Sequence, residues 1–282
     1  MRNSARAVGA SRLGGYAASS VVVAWILICL APLGWMVLQS FKRSRDTFAI
    51  PPTWFTDLGL QSYHDLFAEY PQFTRFLVTS LLVAGGTVVV SLVVGLPASY
   101  VLTFLKVKRR GMWLATVLLM ALLPPVALLV PLFEIWTNLN LLNSEIALIL
   151  TYSAFNIPFV IWMLRGFMQD VPPDIYEAAL VDGASHVQIL LRIVAPLVRA
   201  GCATVGIFVA IFAWNELLYS IILTTTRRTA TGGLVATLFT DRVYGWGKVY
   251  AGGTLVVIPI VLFATAVQKQ FVRGLTFGAV KS

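Results

Sequence analysis

Residues 76–105 contain no charged side chain. A helix needs only about 20 apolar residues to cross the hydrocarbon core of a bilayer, so this run is long enough to span with room for tilt. Five further apolar runs approach the same length: about 16–38, 112–135, 146–163, 201–223 and 252–267. Lipid offers no partner to backbone N–H and C=O groups, so each run is expected to be helical. The alternating ten-residue pattern of membrane strands is absent. The reading is therefore an all-α polytopic membrane protein with six transmembrane helices, residues 1–282 forming one transmembrane domain. Composition agrees. Only 12% of the 282 residues are charged and 58% are hydrophobic, with a mean hydropathy of +0.83. A soluble domain carries about 25% charged residues.

The formal charge is +9. These charges lie between apolar runs rather than on one polar face with interleaved aromatics, which favours a membrane over nucleic acid. Arg2, Arg6 and Arg12 precede the first run in the manner of a signal peptide. That run is too long for one and lacks a small-residue cleavage site, so a retained helix is expected. Lys106, Lys108, Arg109 and Arg110 crowd one short loop, which places that loop and both termini in the cytoplasm. Lys42, Arg43 and Arg45 vote the other way. Cys29 and Cys202 sit in apolar runs with no ligand spacing, so neither a metal nor a redox site is expected. His64 and His186 are isolated in polar segments and receive no catalytic role.

Prolines and glycines punctuate the spans: Gly85, Gly86, Gly95, Pro97, Pro124, Pro125, Pro131, Pro158 and Pro259. They fit kinked packing helices, and equally a solute path along the third and fourth spans.

The segment 164–200 is too polar to span and too regular for a loop. Asp170 is a plausible cap, followed by prolines suited to a first helical turn and by Ile175–Asp182 as a short helix. Gly183 ends it. Ser185 and Gln188 then fit a capping box, and Val187, Leu190, Leu191 and Val194 form one apolar face of a second helix. A short helix across the end of a bundle can pass rigid-body motion from a partner to the spans. The alternative is a helix resting on lipid headgroups, for which Glu177 and the alanines give too little positive charge.

At these residues the sequence resembles the membrane subunits of bacterial ATP-binding-cassette importers. Their signature is E-A-A, three residues, Gly, nine residues, then I-x-L-P. Here it reads Glu177-Ala178-Ala179, Gly183, and Ile193-Val194-Ala195-Pro196, with Ala195 in place of Leu. The run from Pro124 to Phe133, the run from Ile157 to Phe167, Trp214-Asn215-Glu216, and the tail from Gly274 to Lys281 are similar to the maltose-transporter-type carbohydrate permeases. The resemblance implies a coupling helix between spans four and five in the 170–200 segment, with Glu177, Ala178, Ala179, Asp182 and Gly183 as ATPase-coupling residues. It also implies a homologous second permease, two copies of a cytoplasmic ATPase, an extracytoplasmic binding protein and a bacterial cytoplasmic (inner) membrane location. No G-x-x-x-x-G-K-[ST] loop exists, so ATP and Mg belong to the partner ATPase and no cofactor to this chain.

For the solute path the candidates are Tyr152, Asn156, Asn215 and Glu216, an amide, hydroxyl and carboxylate palette suited to a sugar or similar polar solute. The competing reading puts Glu216 near the outer interface, paired with Arg227 or Arg228. An ion-coupled secondary transporter would want more acidic or His residues deep in the spans and an internal repeat. A membrane-embedded enzyme would need a converging nucleophile, base or metal set, and no such pattern is present.

Overall fold

The computed structural model describes residues 4–43, 46–47, 49–51, 58–238 and 245–278. Every regular element among them is helical, as the hydropathy pattern requires. Four helices are long and apolar enough to cross a membrane, and six segments qualify if each sharply bent pair counts as one span. The chain divides into two compact units.

The first unit comprises residues 1–70 and 241–255. Its long helix α1 is Ser4–Ser40, of which Ser19–Ser40 is the membrane-length stretch. Val21, Trp25, Leu27 and Ile28 all point outward, as suits a helix whose surroundings are apolar. Helix α2, Gln61–Glu69, packs beside its end. The Ser40 hydroxyl pairs with the Tyr63 hydroxyl at 2.8 Å, and the Ser62 hydroxyl donates to the Lys42 carbonyl at 2.8 Å. These two buried hydroxyls are thus paired within the unit.

The second unit comprises residues 71–240 and 256–282. Its elements are α3 Gln72–Phe104, α4 Arg110–Leu122, α5 Leu129–Asn138, α6 Glu145–Gln169, α7 Pro173–Val181, α8 His186–Ile189, α9 Ala195–Leu197, α10 Arg199–Asn215, α11 Leu218–Leu223 and α12 Ala230–Gly233. The last helix, α13, is Trp246–Gly278 and runs through both units. The core of the second unit is the α3–α6 pair, with α10 packed on both. Small residues set the close approach of α3 and α6. A Cβ placed on Gly95 would lie 2.4 Å from a Val160 methyl, and one on Gly86 would lie 2.6 Å from the Ile149 tip. Membrane helices associate by such close packing, since lipid gives no hydrophobic drive between them.

Three expected spans differ in form. The third, expected over 112–135, is bent by 87° between Arg110–Leu122 and Pro125–Asn138. Consecutive prolines explain it. The residue before a proline is pushed out of the helical region. Leu123 precedes Pro124 and Pro124 precedes Pro125, and both are extended, at ψ 126° and 122°. The fifth, expected over 201–223, stops at Asn215 and resumes as α11. The fourth, expected to end near 163, continues to Gln169 and carries Arg165 within the helix.

Candidate functional site

The polar segment after α6 folds as a helix–turn–helix hairpin. Asp170 caps the end of α6 and not the start of α7, a correction to the sequence reading. Pro172 and Pro173 make the turn, and Pro173 opens α7 where a missing N–H costs nothing. Gly183 has φ +77°. Its N–H donates to the Leu180 carbonyl and the Ala184 N–H donates to the Ala179 carbonyl, both at 3.1 Å. Those two bonds form the Schellman closure, which satisfies carbonyls left free at a helix end. Next comes the expected capping box. The Gln188 N–H donates to Ser185 Oγ at 3.3 Å, and the Ser185 N–H donates to Gln188 Oε1 at 2.8 Å.

One face of the hairpin is fastened to the bundle. Ala179, Ile189, Leu190, Val194 and Val198 are buried with Tyr100, Met168 and Val171. The Tyr176 ring stacks on Phe104 at 4.9 Å. His186 Nδ1 lies 3.3 Å from the Tyr100 hydroxyl, so His186 is a packed and hydrogen-bonded residue rather than an isolated one. The predicted apolar face of the second helix is split. Leu190 and Val194 are buried, but Val187 and Leu191 are 65% and 60% exposed. The inward face is centred on Ile189, Leu190 and Val194, which pack with Tyr100 and Met168, and a π turn covers Leu190–Val194. That turn precedes Pro196, whose ring in a regular α-helix would press on the carbonyl of Arg192.

The opposite face of the hairpin is free. Glu177, Ala178, Asp182 and Gly183 are exposed, and Val181 is 88% exposed. Of the two alanines, only Ala178 faces outward; Ala179 allows α7 to approach the bundle. Val181, absent from the sequence-level candidates, is the apolar centre of this outward surface. A cleft of about 790 Å³ lies between α7 and the ends of α3 and α6, with Lys106, Arg110, Gln169, Glu177 and His186 on its walls.

A second cluster lies where the two broken spans meet. Glu216 ends α10, and both its carboxylate oxygens accept from the Tyr219 N–H, at 3.1 and 3.3 Å. That puts a negative charge at the first turn of α11, the end the helix dipole favours. The Tyr219 hydroxyl donates to the Pro125 carbonyl at 2.6 Å, which ties the α10–α11 break to the Pro124–Pro125 break. Tyr152, 1% exposed, turns its hydroxyl toward the charge of Glu216 but makes no hydrogen bond of normal length. Phe155 packs on Tyr219 at 5.5 Å. The structure thus brings Tyr152 and Glu216 together. Asn156, one turn along α6, donates to the Tyr152 carbonyl at 2.8 Å, and Asn215 donates back to the Ile211 carbonyl at 2.9 Å. Glu216 is not paired with Arg227. Arg227 instead bridges to Glu145 at 2.6 Å, while Arg228 Nε donates to the Thr224 carbonyl.

Sequence reasoning missed the clasp around Asn143. Asn143 has φ +56°, a conformation asparagine tolerates better than most residues. Its Oδ1 accepts from the N–H groups of Thr225 and Thr226 at 3.0 Å and of Arg227 at 3.2 Å. Its own N–H donates to the Leu223 carbonyl at 2.8 Å. The turn before α6 therefore holds the whole 223–227 strap, and Ser80 Oγ receives the Ala230 N–H just beyond it. The signal was present as Asn143-Ser144-Glu145, a turn residue before a helix cap, but its partner lies about eighty residues away. Asn143→Ala is expected to destabilise the protein by about 1–3 kcal/mol, from several lost bonds of about 0.5–1.5 kcal/mol each. Asn143→Asp keeps an acceptor and should lose less. Thermal melts of the purified protein test the order.

The chain belongs to the family of binding-protein-dependent transport system inner membrane components, whose profile matches residues 91–277. It is 37% identical over 90% of its length to a probable ABC transporter permease protein, y4oR, of Sinorhizobium fredii, and covers 91% of that protein. It is 33% identical over 89% of its length to the diacetylchitobiose uptake system permease protein DasC of Streptomyces coelicolor, covering 91% of it. Its fold is similar to that of a bacterial ABC transporter involved in the import of the acidic polysaccharide alginate. There the TM-score is 0.76 at 20% identity, over 92% of this chain and 97% of that one. The chain is a multi-pass inner-membrane permease of a binding-protein-dependent ABC importer and not an enzyme; in such systems ATP is hydrolysed on a separate subunit.

Proposed function

We propose that this permease carries an oligosaccharide or similar polar solute, and that the α7–α8 hairpin is the handle by which an ATPase subunit moves it. The observation that carries the second part is the two-sided construction of the hairpin. Its inner face is locked to α3 and α6 by buried apolar residues and stacked rings. Its outer face offers Glu177, Ala178, Val181, Asp182 and Gly183 to a partner. A push on the outer face then passes into the two central helices as rigid-body motion. The partners are a homologous second permease, two copies of a cytoplasmic ATPase and an extracytoplasmic binding protein. Both termini and the hairpin lie on the cytoplasmic side, in line with the basic cluster Lys106, Lys108, Arg109 and Arg110. A cysteine placed at Val181 should cross-link to the ATPase in the assembled complex. Labelling of that cysteine from outside intact cells would overturn the arrangement.

The solute class rests on the likeness to the diacetylchitobiose permease and on the junction of the broken helices. Broken helices build solute sites because they free backbone groups and dipoles in an otherwise apolar setting. Tyr152, Glu216 and Tyr219 supply hydroxyls and a carboxylate there. Tyr152→Phe removes a buried hydroxyl that makes no hydrogen bond of normal length among the described residues, so it should leave the melting temperature unchanged or raise it slightly. Uptake in proteoliposomes should nevertheless fall about tenfold, the effect of one lost solute hydrogen bond in a closed site. Full uptake by Tyr152→Phe would remove Tyr152 from the path.

A further inference from the structure

At the α7 end of the second unit the structure holds a charge arrangement that the handle does not use. Arg110 opens α4, and Arg165 lies in the last turns of α6. The two helices pack together, Arg110 lies beside Met168 and Gln169 at the end of α6, and the Arg165 guanidinium sits within the field of Arg110. Both residues are half-buried, and the Nε–H of each is sealed from solvent without an acceptor. Among the described residues neither arginine makes an ion pair. Glu177, the one carboxylate on the wall of the neighbouring cleft, is not within ion-pair distance of Arg110. Lys106, Lys108 and Arg109 add positive charge from the adjoining loop. Two partly desolvated like charges repel unless an anion lies between them.

The flanking residues say which anion. Trp113 lies one turn along α4 from Arg110, and Trp162 one turn before Arg165 on α6. Side chains three apart share a helix face. The N-terminal residue of α4 meets the C-terminal part of α6, so the helices run in opposite directions. Each tryptophan is therefore further into the bundle than its arginine. Both indoles are exposed, at 51% and 37%, and Met112, Leu118 and Leu119 continue an outward apolar surface along α4. Exposed tryptophan one step inside a basic residue is the arrangement of a membrane–water interface. A freely soluble anion would have no use for it.

We propose that Arg110 and Arg165 bind the phosphate of an anionic phospholipid, whose glycerol and acyl chains lie against Trp113, Trp162 and the outer surface of α4. The guanidinium forks suit phosphate oxygens through their terminal nitrogens, which unlike the sealed Nε–H groups are open to a ligand from outside.

The importer complex containing this chain, in nanodiscs of phosphatidylcholine with a minority of phosphatidylglycerol, tests this by native mass spectrometry after gentle detergent release. The wild-type complex should retain phosphatidylglycerol in preference to phosphatidylcholine. R110Q/R165Q should lower that retention about twenty-five-fold, from roughly a factor of five per basic residue near the surface. R110K/R165K should fall between, because a compact ammonium lacks the fork. K108Q, outside the pair, should lose at most the roughly fivefold of one surface charge and keep the preference for phosphatidylglycerol. Equal retention of the two lipids by the wild type needs no variant to fold and would overturn the proposal. So would undiminished retention by R110Q/R165Q, or displacement of the lipid by millimolar inorganic phosphate, which would mark a site for a soluble anion.

Discussion

Gly183→Pro should abolish solute uptake while the spans remain inserted and the assembled complex still hydrolyses ATP. Gly183 sits at φ +77°, and its N–H closes the end of α7 on the Leu180 carbonyl. Proline is fixed near −65° and has no N–H, so it removes both features. The last turn of α7 must then open, and with it the register that places Val181 and Asp182 on the outer face. Gly183→Ala is the measured contrast. Alanine can occupy the left-handed region at a cost of about 1–2 kcal/mol, so it should weaken uptake without abolishing it. Glu177→Lys acts differently: the hairpin keeps its fold, because Glu177 is exposed and makes no ion pair among the described residues, but the charge offered to the ATPase is inverted. Parallel assays of ATP hydrolysis and proteoliposome uptake read the outcome. Normal uptake by Glu177→Lys would end the role given to this surface.

Gly95→Leu should prevent stable assembly of the bundle. Even the Cβ of Gly95→Ala would sit 2.4 Å from Val160 Cγ1 and 3.1 Å from Val160 Cβ. Val160 is fully buried in the core against Leu164, Val205 and Val209, and cannot swing aside. Overpacking of this kind costs about 1–3 kcal/mol for one or two carbons, and a leucine adds more. The compensating pair is specific. Gly95→Ala with Val160→Ala restores space at the crossing, so the two changes should be strongly non-additive in thermal melts. Gly85, on the same helix with nothing within 4 Å of its would-be Cβ, is the control. Gly85→Ala should be neutral or stabilising by up to about 1 kcal/mol through helix propensity. Equal destabilisation at the two glycines would show that the α3–α6 approach does not depend on Gly95.

The same contrast separates what was legible in the residues from what was not. The spans were legible because the length of an apolar run is a one-dimensional property, and lipid leaves the backbone one way to satisfy itself. The turn at Gly183 and the Ser185–Gln188 box were legible because capping acts over three to six residues. The 87° break of the third span lay in the sequence as Leu123-Pro124-Pro125 and was read there only as a possible kink. The inward face of the second helix was misread because the apolar positions alone allow two neighbouring faces, and packing on Tyr100 and Met168 selects the one centred on Ile189, Leu190 and Val194.

By itself, then, the sequence determined a helical membrane bundle and the hairpin with its Gly turn, since hydropathy and capping are local chemistry. Only the tertiary structure decided that Ala179 faces inward and Val181 outward, that Arg227 serves Glu145 and not Glu216, and that Asn143 holds a strap some eighty residues away. Those choices depend on which helices meet at which angle. No local pattern encodes that, because a side chain several turns or several helices distant becomes a partner only after packing has brought it there.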